Sequence, residues 1–380
     1  MAGYIFLIGA TGTMKQCIED GVYSTVISEP RGHWGIPNEA TFCDFLSMKA
    51  GDNVYFFQKR KIYGVGELVN VGNDCKYKNY PQASTPKTFA YENVKINLLY
   101  DKGLESPSLR WLCTFSPSPA FFLEGIDMDD VLGSAPEQFR MLRAMQNVSF
   151  IKLDDNENKA LRNHIIFRNR SALKDISAHF AHCNTTHIVI KQKISGTYQM
   201  TSKEIMDLCV DPSGVLRHEM ALECGLVDAL ANRKPESNIF GKWDYISHQV
   251  IASPFKPLIY VDKMDIFGYR YLSDLPGGYD TLGDFLILEL KRDIAERESV
   301  EQVMKYVEWV KQEYAFGDYS RIKAFVVAGS FTQPAIDAVK EIAVRYYTFG
   351  SHPAMTNCGV PRHRRLIFVP GHRLQKFFLQ

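Results

Sequence analysis

The segment DFLILELKRD, residues 284–293, places a glutamate and a lysine inside a run that otherwise reads as a buried strand. Successive side chains of a strand point to opposite faces, so its three leucines share one face and Glu289 and Lys291 share the other. Burying an unpaired charge is costly, and central strands are usually near-continuous apolar runs. The pair therefore needs a partner, solvent or a metal, and this segment is the first candidate for function.

Two further acids approach this pair if a helix packs on the sheet. Asp265 lies in the strand-like segment KMDIFG, and Glu223 lies in GVLRHEMALECGLVDALAN, which predicts a helix. An apolar stripe surrounds Glu223 in that helix, formed by Leu216, Met220, Val227 and Leu230. Hard divalent cations such as Mg²⁺ prefer carboxylate, water and phosphate oxygens as ligands. A cation held there would polarise a phosphoryl oxygen, so the pattern predicts phosphodiester hydrolysis.

Asp265, followed after a gap by Glu289, Leu290 and Lys291, resembles the D…(D/E)xK signature of the PD-(D/E)XK nuclease superfamily. The stretch from about 205 to 345 is similar to the C-terminal nuclease domain of NucS-type endonucleases, which has a VVVELKR-like strand followed by a helix containing Q…YVEW. The resemblance implies that Asp265, Glu289 and the backbone carbonyl of Leu290 bind Mg²⁺, with Mn²⁺ as a substitute, and that Lys291 serves the attacking water.

A second element of the resemblance is the helix EQVMKYVEW, whose Gln302 and Tyr306 match the QxxxY motif of the RecB-like branch. It implies that Gln302 and Tyr306 order the site or the DNA strand, and that Glu223 is the helix acid. The gap between Asp265 and the ExK strand is longer than in NucS, with YRYLSDLPGGYDTLGD inserted. Asp280 and Asp284 are therefore alternatives to Asp265 as the second metal acid.

An ExK match alone has a simpler interpretation, because such pairs are common on surface strands. In that interpretation Glu289 and Lys291 form a weak ion pair on an edge strand, and Glu223 is a solvated residue.

The composition of the whole chain sets the class of protein. Its 380 residues are too many for one typical core, so two domains are expected. A net charge of +1 argues neither for nor against a nucleic-acid partner. Eight cysteines without a CxxC pair fit reduced thiols in a cytosol. The start has no basic segment of a signal peptide, and no apolar run is long enough for a membrane span, so we expect a cytoplasmic protein.

Element patterns divide the chain into three parts. Residues 1–150 read as a mostly β domain, residues 151–200 as a linker or bridging helices of mixed charge, and residues 201–380 as an α/β domain. APEQFRMLRAMQNV, residues 135–148, reads as a helix. The predicted fold is an α/β, restriction-endonuclease-like core with a mixed sheet flanked by helices, preceded by a mostly β, PUA-like barrel domain.

The prediction of a PUA-like barrel depends on residues 33–72, which resemble the EVE or PUA-like family in their GD-x-VYFF and GVGEL segments. That fold often holds a nucleobase in an aromatic pocket, and the candidates here are Trp34, Tyr55, Phe57 and Tyr63. Aromatic residues at strand spacing also pack in cores, which is the alternative. FLIGATGTMK lacks G-x-G-x-x-G, so we interpret its glycines as a turn and not as a dinucleotide site.

Two other segments carry weaker signals. HFAHC contains His179, His182 and Cys183, but no second pair of metal ligands lies near it in the sequence. The C-terminal segment carries basic residues suited to phosphate contacts or to a solvated end: Arg362, Arg364, Arg365, Arg373 and Lys376.

These observations predict a two-domain, Mg²⁺-dependent DNA endonuclease whose N-terminal domain senses a base or nucleotide feature. This layout resembles modification-dependent restriction or phage-defence enzymes, with DNA, including modified bases, as the partner. Because one site cuts one strand, we expect a homodimer. The alternatives are a structure- or mismatch-specific repair nuclease and a non-catalytic nucleic-acid or nucleotide-binding protein with a degenerate nuclease fold.

Overall fold

A computed structural model describes most of the chain. The described residues are 1–9, 11–27, 30–101, 107–144, 150–253, 262–272, 281–346, 362–363 and 367–370. They fall into two compact units, Met1–Cys209 and Val210–Gln380.

The first unit contains one mixed sheet. Its strands are β1 (Gly3–Leu7), β2 (Val22–Val26), β3 (Asn53–Gln58), β4 (Lys61–Leu68), β5 (Lys76–Lys78), β6 (Leu109–Pro117), β7 (Ile126–Asp127) and β8 (Phe150–Leu153). They are ordered β2-β6-β4-β3-β1-β8, with β5 on β6 and β7 on β4. β1 and β3 run parallel, and β1 and β8 antiparallel. Lys59 and Arg60, both with positive φ, form the two-residue turn of the β3–β4 hairpin, which matches the twist of its strands.

Helices accompany this sheet. They are α1 (Thr11–Asp20), α2 (Ile36–Ser47), α3 (Tyr91–Val94), α4 (Met128–Ser134), α5 (Asp155–Arg168), α6 (Thr185–Lys193) and α7 (Ser202–Leu208). α1 follows β1 directly, where we expected only a turn. Its buried Met14, Cys17 and Ile18 have the i, i+3, i+4 spacing of a helix, which is the signal that the glycines obscured.

Residues 151–200, expected as a linker or bridging helices, contain the helices α5 and α6 and belong to the first unit. β8 pairs with β1 at the edge of the sheet, and α5 buries Leu161 and Ile165 in a core cluster with Ile5 and Tyr55. α5 begins where the Asp154 carboxylate accepts the backbone N–H groups of residues 156 and 157, which is an N-cap. The mixed charge of this segment is therefore divided: Lys152 and Glu157 are buried, whereas Lys159 and Arg168 are exposed.

The helix predicted for residues 135–148 is wrong in its described part, which contains one short 3-10 helix, Leu142–Ala144. The backbone N–H groups of Arg140, Met141 and Leu142 all donate to one carboxylate oxygen of Glu157, at 2.7, 2.9 and 3.3 Å. Three consecutive amides that converge on a side chain cannot also bond to helical carbonyls.

The second unit is an α/β arrangement. Its strands are β9 (Tyr245–Ile251), β10 (Lys263–Tyr271), β11 (Leu282–Ala295), β12 (Ile322–Phe331), β13 (Arg345–Tyr346), β14 (Arg362–His363) and β15 (Ile367–Pro370). Its helices are α8 (Glu219–Ala231), α9 (Arg297–Glu313) and α10 (Gln333–Ile342). The main sheet has the order β15-β12-β11-β10-β9, parallel from β11 to β15 and antiparallel from β11 to β9.

Burial explains how this sheet is covered. In α8 every residue from Ala221 to Ala231 is buried, as expected for a helix with no solvent face. α9 instead buries one side: Ser299, Val300, Val303, Met304, Tyr306, Val307 and Val310. The prediction of a mixed sheet flanked by helices is confirmed. In the described part of the chain, no helix is both long enough and apolar enough to cross a bilayer.

Candidate active site

Three polar residues stand in one row across the middle of the second sheet. The pairs of β9 with β10 on either side of Asp265 align it with Gln249, and the register of β10 with β11, extended by one residue from the Ile266–Leu288 pair, aligns it with Glu289. Residues on one row of a sheet point to the same face, so the three side chains are neighbours. β11 is the central strand, with β12 on one side and β10 on the other, so the interpretation of Glu289 as part of an edge-strand pair is wrong.

Glu289 is fully buried. One of its carboxylate oxygens, Oε1, lies 2.8 Å from the Lys291 ammonium, and the other, Oε2, has no hydrogen-bond partner among the described residues. Burial raises the pKa of Glu289 to about 7, with help from the carboxylates of Glu219 and Glu223 and against the opposing effect of Lys291. A buried carboxylate with one unpartnered oxygen is costly unless a cation or a proton joins it.

Asp265 is the neighbour of Glu289 in the row. Its Oδ2 accepts the backbone N–H of Leu290 at 2.7 Å, and its Oδ1 lies 3.4 Å from Nε2 of Gln249. Burial, followed by repulsion from Glu289 and Glu223, raises the pKa of Asp265 well above its usual range. The carboxylates therefore repel one another, and a shared divalent cation would relieve that repulsion.

Glu223 reaches the same face from the middle of α8. Its Oε1 lies 3.0 Å from Nδ1 of His248, and both its oxygens lie 3.2 Å from Nε2 of Gln249. Gln249 adopts φ +50, a left-handed conformation that is uncommon for residues other than glycine and concentrates at functional sites. The Gln249 amide thus bridges two carboxylates that would otherwise face each other.

Lys291 lies between two carboxylates. Its ammonium is 2.8 Å from Glu289 and 3.7 Å from Oε1 of Glu219. Burial alone would lower the pKa of Lys291, but attraction to Glu289 and Glu219 outweighs it and leaves the pKa raised. Lys291 is therefore a charged group at neutral pH, suited to hold a water or stabilise negative charge and not to take a proton.

Gln302 and Tyr306 bring α9 into the site. The side-chain amide of Gln302 donates to the Tyr306 hydroxyl at 2.7 Å, and Tyr306 is buried. Burial raises the pKa of Tyr306, and repulsion from Glu289 and Asp265 adds to the effect. The helix predicted from the QxxxY pattern thus faces the carboxylate row.

The alternatives to Asp265 do not compete with it here. Asp284 pairs with Arg270 near the start of β11, and Asp280 lies outside the described residues. The fold thus brings Asp265 to Glu289 although the gap between them is long.

The metal-ligand set is limited. Within the described residues, no group of three or more His, Cys, Asp or Glu side chains is arranged to hold a metal ion. Two carboxylates and a backbone carbonyl, completed by water and phosphate oxygens, form the kind of incomplete set that Mg²⁺ uses. The chemistry of Asp265, Glu289 and Leu290 fits such a cation, and the unpartnered Glu289 oxygen supports that fit.

The weaker candidates receive no support. Both ring nitrogens of His182 contact oxygens, those of Ile18 and Asn184, at 3.1 and 3.0 Å, and Cys183 contacts the Thr185 hydroxyl. His179 contacts a backbone carbonyl. These groups make separate hydrogen bonds and form no metal cluster within the described residues. The side chains of the C-terminal basic residues lie outside the described part of the chain.

Two of the four proposed base-pocket residues are core. Trp34 and Tyr55 are fully buried. The Trp34 indole donates to the carbonyl of Ser84 at 2.8 Å, and the Tyr55 hydroxyl donates to the Asn158 side chain at 2.7 Å. Phe57 and Tyr63 are half-buried. Neither Trp34 nor Tyr55 offers a ring face to a ligand from solvent, so the packing alternative describes them better.

Three residues of the site were missed from the sequence: Glu219, His248 and Gln249. His248 and Gln249 lie in YISHQVI, an apolar strand interrupted by a polar pair directly before the MDIFG strand. That interruption was the available signal. Glu219 lies four residues before Glu223 on α8, so both point to the same side of the helix.

Comparisons with known proteins concern the second unit. Residues 273–366 match the family model described as the Endonuclease NucS C-terminal domain. This range includes Glu289, Lys291, Gln302 and Tyr306, whereas Asp265 lies before it. No curated protein matches the chain significantly.

Solved structures with local similarity cover small parts of the chain. A repair endonuclease from Pyrococcus abyssi is 26% identical over 26% of this chain and 36% of its own, with a TM-score of 0.17. EndoMS in apo form is 26% identical over 26% of this chain and 32% of its own, with a TM-score of 0.17. A complex of EndoMS with double-stranded DNA is 23% identical over 30% of this chain and 40% of its own, with a TM-score of 0.19. The similarity thus spans well under half of each of these proteins.

Proposed function

We propose, from the match of residues 273–366 to the NucS C-terminal domain, that the Val210–Gln380 unit is a metal-dependent DNA endonuclease domain. The observation that carries the proposal is the position of Glu289. It is fully buried in a central strand, beside Asp265 and Lys291, with one oxygen unpartnered. A purely structural residue at this position would be apolar, because central strands of such sheets are near-continuous apolar runs.

Asp265, Glu289 and the backbone carbonyl of Leu290 are the proposed ligands of Mg²⁺, with Mn²⁺ as a substitute. When bound, the cation supplies positive charge to a phosphoryl oxygen and lowers the pKa of a water. Lys291 retains its own charge and is placed to hold the attacking water or to stabilise the developing phosphorane charge.

The remaining residues hold the acidic side chains of the site in place. His248 and Gln249 hold the Glu223 carboxylate, and Gln249 also contacts Asp265. Gln302 donates a hydrogen bond to the Tyr306 hydroxyl and so restricts its orientation. These contacts support a site whose geometry is set before the substrate binds.

The DNA that the protein cuts distinguishes a restriction or phage-defence enzyme from a repair nuclease. Modification-dependent restriction or phage defence requires a base sensor in the first unit, and the burial of Trp34 and Tyr55 removes two of its proposed residues. The matching family is described as an endonuclease, without a restriction role. With two sensor candidates buried, we place a mismatch- or structure-specific repair nuclease first. The PUA-like fold of the first unit stays a prediction.

A panel of labelled DNAs tests this choice: unmodified duplex, cytosine-modified duplex, mismatched duplex and single strand, each with Mg²⁺ or Mn²⁺. We expect the wild type to cut the mismatched duplex fastest, and Glu289→Ala and Lys291→Ala to cut none of them. Faster cutting of the cytosine-modified duplex would instead support modification-dependent restriction. DNA binding without metal-dependent cutting would point to the non-catalytic alternative.

A homodimer is a further part of the proposal, because cutting both strands with one site per chain requires two chains. Light scattering of the Lys291→Ala protein on duplex DNA should give two chains per DNA, and one chain per DNA would argue against the dimer.

A further inference from the structure

The segment from residue 158 to residue 174 is strongly basic. It contains no aspartate or glutamate and five basic residues: Lys159, Arg162, Arg168, Arg170 and Lys174. The chain as a whole has a net charge of +1, so this segment concentrates positive charge that is balanced elsewhere.

The fold turns this segment into a surface. α5 packs Leu161 and Ile165 into the core of the first unit, so the opposite side of the helix faces solvent. Lys159 is exposed and Arg162 half-exposed on that side, and Arg170 follows just after the helix. We call Lys159, Arg162, Phe167 and Arg170 the α5 face.

Most of these charges have no internal partner. Arg168 pairs with Asp130 at 2.8 Å, but no ion pair joins Lys159, Arg162, Arg170 or Lys174 to a carboxylate in the described part of the chain. Uncompensated cations on one surface create a positive potential that attracts a polyanion.

An aromatic ring stands among these cations. Phe167 is 61% exposed, and the Arg170 guanidinium lies 4.6 Å from its ring centroid. An exposed ring beside basic groups is the arrangement with which proteins stack unpaired bases.

We propose that the α5 face binds the phosphate backbone of a DNA strand and that Phe167 stacks on an unpaired base of that strand. The choice of DNA as the polyanion rests on the proposed nuclease function. The positive charge and the exposed ring are features of the fold and do not depend on that function. From Lys159 to Phe167 the helix rises about 12 Å. That length corresponds to roughly three or four nucleotides of one strand at about 3.4 Å each.

The test uses the full chain in the Lys291→Ala background, so that bound DNA is not cut. Fluorescence anisotropy measures binding to a labelled single strand and to its duplex across a salt series. The test variants are Lys159→Glu combined with Arg170→Glu, and Phe167→Ala alone. The matched control is Lys87→Glu combined with Lys191→Glu, which makes the same total charge change on exposed residues outside α5.

We expect the Lys159/Arg170 double variant to bind both DNAs at least ten-fold more weakly than the control. Its slope of log Kd against log salt should fall by about two, one for each lost phosphate contact. Phe167→Ala should weaken single-strand binding about ten-fold and leave duplex binding unchanged.

The proposal is overturned if the double variant binds like the control, or if the parent protein binds neither DNA. Thermal unfolding of each variant checks that weaker binding does not come from a lost fold. Binding that depends on the α5 face in a protein whose wild type cuts no DNA would support this inference while contradicting the nuclease function. Cutting at the wild-type rate by the Lys159/Arg170 double variant, made for this purpose with Lys291 retained, would contradict this inference alone.

Discussion

The side-chain amide of Gln249 lies 3.2 Å from both carboxylate oxygens of Glu223. The same amide lies 3.4 Å from Asp265, so one neutral donor separates two buried acids. The amide lies between two carboxylates that repel each other. Gln249 reaches this position with a backbone φ of +50, which few residues other than glycine adopt. This bridge is the feature of the site that the sequence did not reveal, and it leads to the first prediction.

Gln249→Ala should destabilise the metal-free protein, because it removes the donor between Glu223 and Asp265. The expected loss is about 2 kcal/mol, typical for a buried polar group that loses its partner. Thermal unfolding in EDTA measures it, and saturating Mg²⁺ should recover part of the loss. Gln249→Gly is the control, since it also removes the amide but relaxes the positive φ. An unchanged melting temperature for Gln249→Ala would show that the bridge contributes nothing.

Glu289→Gln should stabilise the metal-free protein while abolishing cleavage. The glutamine keeps the shape and an acceptor for Lys291 but removes a buried charge. Because the pKa of Glu289 is about 7 in the fold and lower when unfolded, the folded wild type holds a proton that the unfolded chain has lost in that window. Wild-type stability from this group therefore falls as pH rises toward 7.

The difference in the free energy of unfolding between Glu289→Gln and wild type should accordingly be small near pH 4.5 and grow up to about pH 7. Above that pH it should stay constant, at roughly 3 kcal/mol or less. Calorimetry in EDTA at several pH values measures it. A difference of the same size at every pH would mean that Glu289 does not carry a raised pKa.

Addition of Mg²⁺ should raise the melting temperature of the wild type. Binding to the folded state stabilises by about 2.7 kcal/mol at a concentration one hundred times the Kd. Asp265→Asn should lose this response, because the remaining carboxylate binds the cation weakly. Asp284→Asn is the matched control, since Asp284 lies in the same unit and pairs with Arg270 instead. An equal Mg²⁺ response in Asp265→Asn would exclude Asp265 as a ligand.

Lys291→Met should lower kcat by about 10²- to 10³-fold, the usual cost of losing a group that stabilises charge in the transition state. Mg²⁺ binding should persist or tighten, because a cation beside Glu289 has been removed. Lys291→Arg should recover some activity, and Lys305→Met, a lysine exposed on the other side of α9, should behave like wild type. Equal activity of Lys291→Met and wild type would remove Lys291 from the chemistry.

Sequence patterns were sufficient to identify those site residues whose charge conflicts with an apolar surrounding sequence. Glu289 in an apolar strand and Glu223 in an apolar helix both stood out, and the structure brings them to one face of the sheet. Gln249 did not stand out, because its contacts depend on the register of β9 with β10 and on a positive φ, neither of which local sequence specifies.

The first unit was harder to predict for a related reason. The charges of α5 suggested a linker, although its Leu161 and Ile165 stripe packs into the core. Aromatic residues suggested a pocket at Trp34 and Tyr55, although both are buried, because pattern alone does not distinguish a ring that packs from a ring that binds.

The most direct test of the central claim is cleavage of a labelled DNA duplex by wild type and by Glu289→Gln, each with Mg²⁺ and with EDTA. Our account predicts cutting by the wild type with Mg²⁺, none with EDTA, and none by the variant, which should melt at the same or a higher temperature. Cutting by Glu289→Gln at the wild-type rate, or cutting by the wild type in EDTA, would contradict a metal-dependent nuclease site at Glu289.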